Sequence, residues 1–163
     1  MKKAFNILFW AVLGTSNLHA QSLQEAFGDY FRMGVSVNQW EVKAEKEVKE
    51  GISYSGAVSL DQTANYEHIA RHFGWVVPEN CMKCEVIHPQ EGVYDFTLAD
   101  QLVDKALANG QQVIGHCLIW HSQCAPWFWV DDKGKFVTPE VLKQRMKDHI
   151  HTVVGRYKGR IHG

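Results

Sequence analysis

The chain has 163 residues, of which 45% are hydrophobic and 21% charged, with a formal net charge of −1. That balance suits one soluble globular domain with a sizeable core. With no basic excess to neutralise phosphates, nucleic acid is excluded as a partner. The first twenty residues read as a separate segment: Lys2 and Lys3 make a basic start, Ile7 to Leu13 a short apolar run, and small Ala20 stands before Gln21. This is the pattern of a secretory signal peptide cleaved after Ala20, and its apolar run is too short to span a bilayer. The expected product is a secreted or periplasmic protein, residues 21–163, with no membrane attachment after cleavage.

Met33-Gly34-Val35-Ser36-Val37 reads as the first strand. Trp40 to Ser59 is polar, with a charge run from Glu41 to Glu50, and reads as a solvated connection. Leu60 to Phe73 places Tyr66, Ile69, Ala70 and Phe73 on one helical face, with Gly74 as the stop. Trp75-Val76-Val77 is the second strand. Thr97 is a candidate cap for a helix from Leu98, whose buried stripe is Leu102, Val103, Ala106 and Leu107 and whose end is Gly110. Gln112 to Trp120 is read as the third strand. Thr138-Pro139 opens a last helix with Val141, Leu142, Met146, Ile150, Val153, Val154 and Tyr157 at helical spacing, closed by Tyr157-Lys158-Gly159. The β-α-β-α-β-α order predicts an α/β fold with a parallel sheet, either an eightfold barrel or an open doubly wound sheet. In both, function sits at the carboxyl ends of the strands.

Two strand ends carry candidate chemistry. Pro78-Glu79-Asn80-Cys81-Met82-Lys83 puts an acceptor (Glu79), an amide (Asn80) and a donor (Lys83) together, which suits hydroxyl-rich ligands. Read as a strand, Gly115 to Gln123 sets His116, Leu118 and Trp120 on one face, so that His116 and Trp120 point together into a cleft with Gln123 at its mouth. Trp supplies a flat apolar face for the CH groups of a sugar ring and one N–H donor. Considered singly, a polar loop, a core tryptophan and a hydrogen-bonded interior histidine remain open for these residues. Glu85, Glu91, Asp95, Asp131 and Asp132 read as solvated surface charges.

Metal and cofactor chemistry find no support. His116 and His121 differ by an odd number, which sends them to opposite faces of a strand. His149 and His151 lie roughly 200° apart around a helix. H-E-x-x-H, G-x-G-x-x-G, P-loop and G-x-S-x-G motifs are absent. No metal and no cofactor are expected. The four cysteines, Cys81, Cys84, Cys117 and Cys124, leave free thiols, one or two disulfides, or a metal site open.

Glu79-Asn80-Cys81-Met82-Lys83, with His88-Pro89 and Tyr94-Asp95-Phe96, resembles the second-strand signature of family-10 glycoside hydrolases. Gly115-His116-Cys117-Leu118-Ile119-Trp120-His121-Ser122-Gln123, with Pro126-Trp127-Phe128, is similar to that family's third-strand signature. Leu142 to Ile161 resembles the helix leading into its fourth strand. The resemblance runs from about Phe31 to Gly163, and Cys84, Cys117 and Cys124 stand where the family commonly has other residues. It implies a partial (β/α)8 barrel, about the first three βα units, of a retaining endo-1,4-β-xylanase acting on xylan or xylo-oligosaccharides, monomeric when complete. It implies that Glu79, Asn80, Lys83, His116, Trp120 and Gln123 are glycone-side sugar contacts. The family's acid/base is a Glu in an Asn-Glu pair after strand four and its nucleophile a Glu after strand seven. Neither is expected within these residues, so the 163-residue chain is expected not to hydrolyse xylan. The other readings are a non-catalytic carbohydrate-binding protein with half a cleft and a doubly wound protein with a small-molecule ligand.

Overall fold

The computed structural model describes residues 21–38 and 62–163, with side chains in the second span from 66 onward. The predicted signal peptide and the polar connection at 40–59 lie outside the described residues.

Helix α1 (Leu23–Phe27) opens with a capping box: the Ser22 hydroxyl accepts from the Glu25 N–H while the Glu25 carboxylate accepts from the Ser22 N–H. Strand β1 (Gly34–Val37) leads on to α2 (Gln62–His72) and then β2 (Trp75–Pro78). A one-turn helix α3 (Cys84–Ile87) follows, then α4 (Thr97–Ala108), β3 (Gln112–Val113), a 3-10 turn at Pro126–Phe128 and the long α5 (Pro139–Tyr157). The strands form one parallel sheet in the order β1-β2-β3, with Val35 opposite Val76 and Val76 opposite Val113. Each strand thus lies beside the next in sequence, joined through a helix, as right-handed βαβ units require.

Burial explains which stripes work. In α4, Ala99, Leu102, Val103 and Ala106 recur at helical spacing and are all buried, joining Val37, Val76 and Val113 of the strands with Tyr66, Ile87, Val153 and Tyr157. Asp95, not Thr97, supplies the side-chain bond at the start of α4: its carboxylate accepts from the Thr97 N–H at 2.9 Å, and this bond holds it below the ordinary carboxylate range. Thr97 is itself the first residue of the helix, one position before the predicted start, and Phe96 holds the cap position without a side-chain bond. In α5, Thr138 caps and Pro139 stands in the first turn as expected. Its predicted apolar stripe is only partly used, however. Val141 and Val154 are exposed, and His149 is fully buried. On the exposed flank, Arg156 pairs with Asp100 and Arg160 with Asp104, and the Tyr157 hydroxyl donates to Asp100 at 3.0 Å, tying α5 to α4.

The third strand is the main departure. It stops at Val113 instead of running to Trp120. The ladder to β2 ends early: Val76 lies opposite Val113 and accepts the Ile114 N–H at 3.0 Å, and the next β2 residue on that edge, Pro78, has no N–H to donate back. The Glu79 N–H belongs to the other edge of β2 and donates to Val37 O at 2.9 Å. Residues 114–123 are thus an irregular loop. On the open flank of β3, the His162 N–H donates to Val113 O at 2.8 Å and the Gly115 N–H to Gly163 O at 2.7 Å, so the segment after α5 pairs with β3.

Candidate functional site at the strand ends

The carboxyl ends of β1, β2 and β3 face the same way in a parallel sheet, and the candidate residues gather there. Asn80 and Lys83 lie in the turn between β2 and α3. Lys83 is the residue before the first turn of α3, is only 8% exposed, and its Nζ is the hub of the site. It donates to Asn80 Oδ1 at 2.8 Å and to Gln123 Oε1 at 2.5 Å. Gln123 Nε2 lies 3.4 Å from Asn80 Oδ1 and closes the triangle. The Trp120 ring covers the same ammonium, with Nζ 5.0 Å from its centroid. A buried ammonium needs this number of partners, because each unpaired donor would cost a lost hydration bond. The arrangement leaves one Lys83 N–H and the Asn80 amide donors available to a ligand.

Gln123 is held in an unusual way. Its φ is +52°, the left-handed region that a residue with a Cβ enters at a cost of roughly 1–2 kcal/mol. Two bonds offset that cost: the Lys83 donation above, and the Glu85 N–H donating to Gln123 O at 3.1 Å. Non-glycine residues kept in this conformation concentrate where side-chain aim matters.

Glu79 lies one step outside the triangle, exposed, with its carboxylate accepting from Asn38 Nδ2 at 2.8 Å. His116 is exposed and reaches the site from another wall. With Met82, Gly115, Cys117 and Leu118 it lines a cavity of about 360 Å³ that extends to Val153, Tyr157 and Ile161. A cis peptide joins His116 to Cys117. The structure therefore brings Asn80, Lys83, Trp120 and Gln123 into direct contact. Glu79 and His116 stand beside that cluster without touching it. The predicted strand alternation of His116, Leu118 and Trp120 does not exist, since these residues lie on a loop; Trp120 joins the cluster by covering Lys83 instead. Trp120 is 38% exposed, which leaves part of its ring face open.

A buried layer beneath the loop escaped sequence reasoning. His88 Nδ1 and His149 Nδ1 are 3.1 Å apart. The Gly92 N–H donates to His88 Nε2 at 3.2 Å, so the neutral His88 carries its proton on Nδ1 and donates it to His149 Nδ1. His149 then bears its proton on Nε2, which is buried short of a full hydrogen bond, with the Leu118 carbonyl the acceptor that favours that proton. Tyr94 stacks on His88 at 3.8 Å and Trp127 packs at 4.5 Å, its indole N–H donating to His88 O at 3.0 Å. Burial and the His149 neighbour hold His88 down to about 4, and burial likewise lowers His149. Both rings are neutral near pH 7. The available signal was His149 at the spacing of Met146 and Val153 on the inner face of α5.

The cysteines are free thiols. Cys81 is buried and pushed up to about 11 by that burial. Cys84 and Cys124 are not isolated: each thiol acts on the other, raising Cys84 and lowering Cys124. Among the described residues no group of three or more His, Cys, Asp or Glu side chains could hold a metal ion, and no helix is long and apolar enough to cross a membrane.

Comparison with known proteins places this geometry. The chain is 41% identical over 142 residues to endo-1,4-beta-xylanase A of Xylanibacter ruminicola, covering 87% of this chain and 34% of that protein. It is 40% identical over 136 residues to an endo-1,4-beta-xylanase/feruloyl esterase of the same species, covering 83% of this chain and 16% of that protein. Among solved structures, xylanase XynB of Paenibacillus barcinonensis, complexed with a conduramine derivative, superposes with a TM-score of 0.72 at 36% identity, covering 88% of this chain and 38% of that one. The chain thus spans between 16% and 38% of the length of these relatives. The superposition settles the architecture as the first three βα units of an eightfold β/α barrel rather than a doubly wound sheet. The profile of glycosyl hydrolase family 10 matches residues 22–163, and the chain belongs to that family.

Proposed function

We propose that these residues form the glycone-side wall of the substrate cleft of a retaining endo-1,4-β-xylanase. The observation that carries the reading is the Lys83 ammonium joined to Asn80 and Gln123 under the Trp120 ring. Fixed donors beside a partly open indole match a pyranose, whose hydroxyls need partners at set angles and whose CH face needs an apolar plane. Asn80, Lys83, Gln123 and Glu79 fix one sugar by its hydroxyls, while His116 and Trp120 hold its neighbour. Such positioning contributes to rate by removing rotational freedom before the bond breaks.

Cleavage itself takes two carboxyl groups about 5–5.5 Å apart, one acting as nucleophile and one as acid/base. The family resemblance puts these glutamates after strands four and seven of the barrel, so the 163-residue chain does not cleave xylan, and its strand-end cluster is left to bind xylo-oligosaccharide. Export supports the reading, because polymeric xylan meets its enzyme outside the cytoplasm; the basic start and apolar run of residues 1–20 are the basis for it. N-terminal sequencing of the mature protein should begin at Gln21.

The deciding experiment is a titration of the chain with xylotriose, followed by tryptophan fluorescence, alongside a reducing-sugar assay on xylan. Saturable binding without release of reducing ends is expected. Absence of any saturable change overturns the sugar assignment, and release of reducing ends overturns the separation of binding from cleavage.

A further inference from the structure

Two of the four cysteines lie one residue from the sugar-binding cluster. Cys84 follows Lys83, and Cys124 follows Gln123. The Glu85 N–H donates to Gln123 O at 3.1 Å, so the start of α3 and the end of the long loop meet with Cys84 and Cys124 next to that bond, one on each segment. That backbone bond holds the two cysteines across from one another, and each thiol acts on the other, raising Cys84 and lowering Cys124. Cys84 is buried, at 1% exposure, and Cys124 is half-buried. The Cys-x-x-Cys spacing pairs Cys84 with Cys81, but the backbone bond between Glu85 and Gln123 instead sets Cys84 beside the segment that carries Cys124.

We propose that Cys84 and Cys124 are a disulfide site that clasps the turn after β2 to the loop after β3, closed by exchange with a small external disulfide of the oxidised-glutathione class. The proposal rests on export, which brings the chain to such an oxidant, and is independent of what the cleft binds. Roles in the exchange follow from exposure: Cys84 is buried while Cys124 is half-buried, so Cys124 is the sulfur that an external disulfide reaches. The thiol shifts agree with this order, Cys84 held above and Cys124 below the usual thiol range.

The Cys124 thiolate attacks one sulfur of the external disulfide, forming a mixed disulfide and expelling one thiolate, which takes up a proton. Cys84 then loses its proton and attacks Cys124 Sγ, expelling the second small thiol. Two protein thiols are oxidised, one external disulfide is reduced to two thiols, and nothing else is consumed. The product pins the backbone beside Lys83 and Gln123, the two residues whose bond crosses between these segments.

The test is native incubation of the 163-residue chain with oxidised glutathione, then alkylation, proteolysis without reductant and mass spectrometry, with a parallel sample oxidised in denaturant. A Cys84–Cys124 linked peptide should dominate the native sample, while the denatured sample gives mixed pairings. The native sample's thermal midpoint should rise on oxidation, and this rise should vanish in both Cys84→Ser and Cys124→Ser. The proposal is overturned if native and denatured samples give the same mixture, if Cys117 supplies the partner, or if glutathione remains attached to Cys124. A chain that forms the link yet ignores xylotriose would sink the sugar reading and leave this one standing.

Discussion

The turn after β2 and the loop after β3 reach the same cleft by opposite means. In the turn after β2, Lys83 is buried and its ammonium is committed to Asn80 and Gln123, so the group is aimed before any ligand arrives. Along the loop after β3, His116 and Trp120 are exposed, and their backbone has left the sheet ladder. The buried layer next to that loop is the His88–His149 pair, whose outer His149 Nε2 faces the Leu118 carbonyl without a full hydrogen bond. The difference teaches that a buried polar group is held by its own hydrogen bonds, because leaving them unmade is costly, whereas an exposed one inherits its position from whatever packs below. One half of the strand-end region is therefore sensitive to local substitution and the other to changes in the layer packed beneath it.

Replacing the hub should break the comparison most sharply. Lys83→Met deletes a charge-assisted donor and strands Asn80 Oδ1 and Gln123 Oε1, so xylotriose affinity should fall by about 100-fold. Calorimetric titration checks it, and an affinity within a few-fold of the parent would show that Lys83 is structural only. A cut beneath the exposed half comes next. His149→Leu leaves the His88 Nδ1–H buried without an acceptor and should cost about 2 kcal/mol of stability by urea denaturation.

Acid should act on that same layer. His88 is depressed from 6.5 to about 4 in the folded chain, so between those values the unfolded chain binds the proton that the folded one refuses. Stability contributed by the neutral pair is complete above pH 6.5 and declines as pH falls toward 4. Urea midpoints measured across that window should drop in the parent, and the part of the decline owed to this pair should vanish when both histidines are replaced by leucine. The smallest effect is expected at the exposed ring. Trp120→Ala removes an aromatic face worth about 1 kcal/mol, or roughly fivefold in xylotriose affinity, with little change in thermal midpoint. A large loss of stability there would show that Trp120 belongs to the core.

Much of the architecture was legible from local signals. Alternating strands and amphipathic helices, the Thr138-Pro139 start of α5 and the buried stripe of α4 each follow from residues that act within one turn or one pleat. The clustering of Asn80, Lys83, Trp120 and Gln123 was also anticipated, although the alternation argued for Trp120 was not the reason it holds. The length of β3 was misread because Cys117, Leu118, Ile119 and Trp120 have strand-like composition, while a strand exists only as far as its neighbour can pair. The start of α4 was misplaced by one residue, because Asp95 accepts the Thr97 N–H and so lets the helix begin at Thr97.

By itself, the order of residues determined that a parallel α/β sheet would form and that a group of polar side chains would sit where its strands end, since periodicity and strand direction are properties of the chain. Only the tertiary structure decided that Lys83 would be shared between Asn80 and Gln123, that two histidines 61 residues apart would share a hydrogen bond, and that the start of α3 would bond to the loop after β3 at Gln123. These pairings depend on which segments the sheet register sets side by side, and that register comes from packing the whole core at once.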